Sequence, residues 1–161
     1  MGMKITILAV GKIKEKFYRD AVEEYCKRLS RYCRLEVLEV ADEGTPERAS
    51  DAEEDQIRQK EGMRILNRIR PEDYVITLEI LGRQMDSVAF SRQLEELAVS
   101  GKSSVVFVIG GSLGLHEEVS RRADQKISFS AMTFPHQLMR VILCEQIYRG
   151  FRIIKKEPYH K

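Results

Sequence analysis

Short runs of branched apolar residues alternate with stretches of helical period along the chain. This alternation restricts the fold more than any other feature of the sequence. Met3 to Val10 (MKITILAV), Leu35 to Val40 (LEVLEV), Tyr74 to Ile80 (YVITLEI), Ser104 to Ile109 (SVVFVI) and the short Ile127 to Ser130 read as strands. Between the first two, from Glu15 to Cys33, the apolar positions Phe17, Ala21, Tyr25 and Leu29 step by four and predict one inward helix face. Ala41 to Glu54 is rich in acids and small residues and reads as a surface loop. Within it Ser50 opens a capping box with Glu53, ahead of Ile57, Ile65, Leu66 and Ile69, and Pro71 marks the stop. Leu81-Gly82 is read as a turn, and Ser87 as the cap of a helix through Phe90, Leu94 and Leu97 to Gly101. A helix is expected from about His116 to Ala123, and a last one from about His136 to Ile153. Strand alternating with helix predicts an α/β fold, a parallel sheet flanked by helices. SVVFVI lacks polar alternation, so both its faces should be covered.

With 161 residues, no internal repeat and no long linker, residues 1–161 are expected to form a single domain. Met3 reads as the natural start and Met1-Gly2 as an added pair, so the myristoylation pattern of the first six residues is discounted. Lys and Arg number 27 against 25 Asp and Glu, a net charge of +2 that excludes a histone-like basic blanket. The charge is uneven. Residues 1–34 hold nine bases and four acids, 41–61 three bases and eight acids, and 140–161 six bases and two acids. Basic ends fit either solvated helix faces or a surface for a polyanion. Cys26, Cys33 and Cys144 form no C-x-x-C pair, which favours a reducing, cytoplasmic setting over disulfides or zinc. His116, His136 and His160 have no metal-ligand spacing, so no metal site is expected. No apolar run reaches membrane-span length, and no membrane partner is expected.

Three segments carry candidate chemistry. In VVFVIGGSLGLH a buried strand runs into Gly110, Gly111 and Gly114 and then a helix. Parallel sheets bind ligands beyond the carboxyl ends of such strands. It is neither the dinucleotide fingerprint nor a P-loop. Phe129 to Phe134 (FSAMTF), followed by Pro135-His136, puts apolar residues in a loop, which must be buried or touch an apolar ligand. The tail Pro158-Tyr159-His160-Lys161 joins an aromatic ring, an imidazole and a cation, a set suited to a nucleobase and its phosphate. No G-x-S-x-G nucleophile elbow is present, and Cys144 reads as core.

The opening MKITILAVGK, the strand VITLEI-x-G, the turn VFVIGGSLGLH, the segment FSAMTFPHQLMRVILCEQIYR and the ending PYHK resemble the ribosomal RNA large subunit methyltransferase H family of the SPOUT superfamily. The resemblance runs from Met3 to Lys161. It implies a SPOUT-type fold with a C-terminal trefoil knot, and a homodimer. It also implies methyl transfer from S-adenosyl-L-methionine to N3 of a pseudouridine in large-subunit (23S) rRNA, on assembled ribosomes. The family's donor contacts fall here on Leu78, on Gly110, and on Phe129, Ser130, Ala131, Met132, Thr133 and Phe134. Its activity-linked tail falls on Tyr159, His160 and Lys161.

Such a reaction needs an apolar slot for adenine, in-line geometry and an acceptor for the N3 proton. His160 is the candidate base and Tyr159 the candidate platform for the ring. Arg140 and Lys161 are candidates for holding phosphate or developing negative charge. The last helix is apolar on more than one side, as a helix facing a partner would be. Read without the resemblance, the residues also fit a flavodoxin-like binder of another nucleotide, or a ribosome-binding module without activity.

Overall fold

The computed structural model describes residues 2–161; Met1, half of the pair expected to be an addition, lies outside the described residues. Five strands and five helices alternate: β1 Lys4–Val10, α1 Lys16–Leu29, β2 Arg34–Val40, α2 Asp51–Leu66, β3 Tyr74–Gln84, α3 Ser87–Val99, β4 Ser104–Ile109, α4 Glu117–Arg122, β5 Gln125–Ser128 and α5 His136–Ile154. All pairings are parallel, in the order β2-β1-β4-β3-β5.

The sheet is covered on both faces, as the unbroken apolar β4 requires. Ile5, Ile7 and Ala9 of β1 and Val105, Phe107 and Ile109 of β4 pack with Val22, Phe90, Leu94, Leu143 and Ile147 from α1, α3 and α5. The alternate residues Leu8, Val10, Val106 and Val108 pack with Ile65 of α2 and Val119 of α4. The period-two pleat splits each strand between the two cores.

The capping box at α2 is formed. The Ser50 hydroxyl accepts from the Glu53 N–H at 3.1 Å, and the Glu53 carboxylate accepts from the Ser50 N–H at 3.1 Å. Four expectations need correction. The cap of α3 is Asp86, which accepts from the Ala89 N–H at 2.8 Å, while Ser87 donates to Gln146 at 2.6 Å. The inward residues of α1 are Val22 and Leu29 with Tyr18, Tyr25 and Cys26 beside them, whereas Phe17 is 63% exposed. β5 starts and ends two residues early, because the chain leaves the sheet at Phe129. Leu81-Gly82 is no terminating turn, since β3 continues to Gln84.

The reason for this continuation lies in β5. Leu78 and Arg83 both pair with Ile127, so residues 79–82 form a bulge. The strand re-enters the sheet because Gly82 presses against its neighbour. A Cβ at Gly82 would lie 2.7 Å from the Ile127 carbonyl carbon and 2.8 Å from its nitrogen. Only a glycine tolerates that approach.

Candidate functional site

A cleft of about 730 Å³ opens beyond the carboxyl ends of β4 and β5, beside the bulge of β3. Its size suits a nucleoside-bearing small molecule. Three walls come from three segments far apart in sequence. The β3 bulge supplies Leu78, Glu79, Ile80 and Leu81, and the turn after β4 supplies Gly110 to Leu115. The loop after β5 supplies Ser128, Phe129, Ser130, Met132, Thr133 and Phe134, with His136 and Met139 at the start of α5.

The glycine turn is tight for a specific reason. Gly111 and Gly114 form an isolated antiparallel bridge, and the Gly114 N–H donates to the Gly111 carbonyl at 3.1 Å. Gly114 has φ +82°, in the left-handed region that favours glycine. A Cβ on Gly110 would lie 3.0 Å from the Gly114 carbonyl carbon and from Leu115 Cδ2. The turn therefore presents bare backbone to the cleft.

Only Phe129 of the FSAMTF loop packs against the core. Met132 is 73% exposed, and Phe129 meets Phe90 edge to face at 6.2 Å. Ser130 braces the loop by accepting from the Met132 N–H at 2.9 Å, and its carbonyl accepts from the Ser128 hydroxyl at 3.0 Å. Ala131 is exposed and does not line the cleft. The other expected donor contacts, Leu78, Gly110, Phe129, Ser130, Met132, Thr133 and Phe134, all do.

Several lining residues were not singled out from the sequence. Glu79 accepts from the Thr77 hydroxyl at 2.6 Å and from the Ser120 hydroxyl at 2.6 Å, which fixes a carboxylate in the cleft wall. His136 lines the opposite side, and its buried Nδ1 has no hydrogen-bond partner among the described residues. Burial, then the Arg140 charge and that of Lys14, pull the His136 imidazolium below its ordinary pKa against the opposing pull of Asp42. Apolar residues continuing past the expected strand end, in LEIL, were the signal for the bulge wall. His136 had no comparable signal, because its burial comes from packing.

Arg140 is corrected as a substrate-facing cation of this chain. Its side chain is fully buried and absent from the cleft lining. The guanidinium pairs with Glu39 of β2 and donates to the carbonyls of Gly11 at 2.7 Å and Val10 at 3.2 Å. It clamps α5 to the ends of β1 and β2.

The tail is pinned rather than frayed. Lys156, at φ 56°, turns the chain after α5, and the Glu157 N–H donates to the Arg152 carbonyl at 2.8 Å. Tyr32 donates to Glu157 at 2.6 Å, and Arg152 donates to the Pro158 carbonyl at 2.8 Å. The Tyr159 phenol donates to Glu145 at 2.8 Å, and its ring meets Tyr148 edge-on at 4.9 Å. Burial first, and then Glu145, push the Tyr159 pKa up, so the phenol stays protonated. Arg149 sits over the Tyr159 ring at 4.7 Å and contacts His160 Nδ1 at 3.1 Å. A guanidinium only donates, so Nδ1 is the acceptor in this contact. Lys161 is exposed.

These tail residues rest on Glu145, Tyr148 and Arg149, while the cleft of the same chain ends at Met139. At 1.5 Å per helical residue the two lie roughly 10–15 Å apart along α5. One chain therefore holds both halves of the expected site without joining them. Among the described residues no cluster of three or more His, Cys, Asp or Glu could hold a metal, and no helix is long and apolar enough to cross a membrane.

An open parallel sheet with a glycine turn and a cleft at its carboxyl edge is the arrangement in which α/β proteins take up nucleotide-like ligands. Comparison with known proteins narrows this. Residues 3–160 match the family described as "Predicted SPOUT methyltransferase". The chain is 59% identical over 159 residues to the ribosomal RNA large subunit methyltransferase H of Clostridium kluyveri, covering 99% of this chain and 100% of the relative. It is 56% identical over the same shares to the protein of that name from Clostridium beijerinckii, and 55% to that from Clostridium perfringens. The chain belongs to the SPOUT methyltransferases, within the family of ribosomal RNA large subunit methyltransferase H.

Proposed function

We propose that this protein transfers a methyl group from S-adenosyl-L-methionine to N3 of a pseudouridine in large-subunit (23S) rRNA, acting on assembled ribosomes in the cytoplasm. The observation that carries this reading is the convergence of the β3 bulge, the glycine turn and the FSAMTF loop on one cleft. The same segments carry the family resemblance. The lining fits the donor. Leu78, Leu115, Met132, Phe134 and Met139 offer an apolar slot for a purine, and the glycine turn offers backbone polar groups.

The bound donor supplies an electrophilic methyl on its sulfonium, so no covalent enzyme intermediate is needed. The chain's own residues orient the reactants and handle one proton. Leu78 and the FSAMTF loop hold the purine, and Gly110 lets the backbone approach closely. Tyr159, its phenol held by Glu145, is the platform that orients the target base. Lys161 meets phosphate or the developing imide charge. His160 accepts the N3 proton once its Nδ1 is released from Arg149.

The separation of cleft and tail along α5 supports a homodimer in which one copy's tail serves the other's cleft. The apolar rim points the same way, with Leu81 98% exposed and Ile80 50% exposed. A C-terminal trefoil knot belongs to the same reading. β5 lies at the β3 edge, yet α5 returns to place Arg140 at the ends of β1 and β2 on the opposite half of the sheet.

The deciding experiment incubates the protein with methyl-labelled donor and ribosomes lacking the modification. Label is expected on one pseudouridine of the large-subunit rRNA, located by mass spectrometry. No incorporation into intact ribosomes or separated subunits refutes the reading.

A further inference from the structure

The segment between β1 and α1 has no part in the chemistry above, yet it is held firmly beside the cleft. The Gly11 carbonyl accepts from Arg140 at 2.7 Å, and the Lys14 N–H donates to Gln137 at 3.0 Å. Arg19 donates to the carbonyls of Ile13 and Lys14, each at 3.0 Å. Burial alternates along this braced loop. Gly11 and Ile13 are buried, while Lys12 and Lys14 are exposed. Gln137 follows His136, a residue of the cleft wall, so Lys14 stands at the cleft's rim.

Two features of this edge suit an RNA strand. Lys16 is ion-paired to Asp20 at 2.7 Å, but neither Lys12 nor Lys14 is ion-paired among the described residues. Asp42 lies near Gly11 without pairing with either lysine. One turn on, Phe17 is 63% exposed, with the Tyr18 ring at 4.4 Å behind it. Two exposed, unpaired lysines on a braced backbone, followed by an exposed aromatic ring, offer contacts for phosphates and a base.

We propose that Lys12, Lys14 and Phe17 form a docking edge for the rRNA strand flanking the target nucleotide, the lysines on its phosphates and Phe17 stacked on a neighbouring base. This rests on the reading under Proposed function and names how the same site takes its RNA. A second copy of the chain is the poorer occupant. Covering Lys12 and Lys14 with protein costs free energy unless acids meet them, whereas RNA brings a phosphate to each.

The test compares the unaltered protein with Lys12→Ala/Lys14→Ala and Phe17→Ala. Binding to unmodified ribosomes is measured across a salt series, without donor, so that methyl transfer is not needed for the readout. The double variant is expected to bind about tenfold more weakly and to lower the log–log salt slope by roughly 1.4–1.8, since each phosphate contact contributes about 0.7–0.9. Phe17→Ala is expected to lose about tenfold with the slope unchanged, because stacking is not electrostatic. Donor affinity by calorimetry and the oligomeric state by sedimentation should stay as in the unaltered protein. Unchanged ribosome affinity and slope in both variants overturn the proposal. So does loss of self-association, which would assign the edge to an interface between copies. An unaltered protein that shows the expected variant effects on binding but never methylates ribosomes supports the edge and refutes the methyltransferase reading alone.

Discussion

Arg140, one turn into α5, sits in the angle between β1 and β2, where it pairs with Glu39 and donates to the Gly11 carbonyl at 2.7 Å. This contact joins the last helix to the first strand and fixes the start of α5, where His136 and Met139 face the cleft. A buried guanidinium with three acceptors is costly to remove, because Glu39 and two carbonyls lose their donor together.

Replacing Arg140 by Ala is therefore expected to destabilise the fold by roughly 3–5 kcal/mol, as for other broken buried pairs. Arg140→Lys should recover only part of this, since one ammonium cannot reproduce the fork. Denaturant midpoints at constant m-value check both. A variant as stable as the unaltered protein would remove the clamp from the account.

Gly82→Ala tests the bulge. The added carbon meets the Ile127 backbone at 2.7 Å, so β3 and β5 must shift apart. Overpacking of this kind typically costs about 1–3 kcal/mol. The cleft wall at Glu79 to Leu81 should move with it, and calorimetry should show weaker S-adenosyl-L-methionine binding. Unchanged affinity would separate the bulge from the ligand.

Glu61 of α2 is 5% exposed, accepts from the Glu43 N–H at 3.0 Å, and lies where a Cβ on Gly111 would come within 3.3 Å of Oε1. Burial raises its pKa above the ordinary carboxylate value. Between the ordinary value and the raised one the folded state holds more protons than the unfolded state. Stability from this group therefore falls as pH rises through that window. Glu61→Gln keeps an acceptor for Glu43 and removes the charge. Its melting temperature should exceed that of the unaltered protein at pH 7, with the gap closing below about pH 4.5, a shift that thermal melts across pH would reveal.

His160→Ala addresses the proton. With His160 as acceptor, single-turnover methylation should slow by about 10²-fold or more while donor affinity holds. Arg149→Ala frees Nδ1 and loosens the tail, so its effect on the rate profile against pH separates positioning from proton transfer. A near-normal rate for His160→Ala reassigns the acceptor.

The sequence by itself determined the element order, the parallel sheet, the α2 capping box and the cleft segments around Gly110 and FSAMTF. These follow from local periods, caps and glycine punctuation, which act within a few residues. Tertiary structure decided the rest. Phe17 reads as core by its spacing, yet α1 packs through Val22 and Leu29 instead. Leu81-Gly82 reads as a turn, yet pairing with Ile127 carries β3 onward. Arg140 reads as a free cation, yet the ends of β1 and β2 bury it. The tail's chemistry was legible, but its place on Glu145 and Arg149, away from the cleft of its own chain, was not. Each of these depends on which distant segment arrives beside a residue. That choice is made by packing and hydrogen-bond satisfaction over the whole chain, beyond the reach of any local pattern.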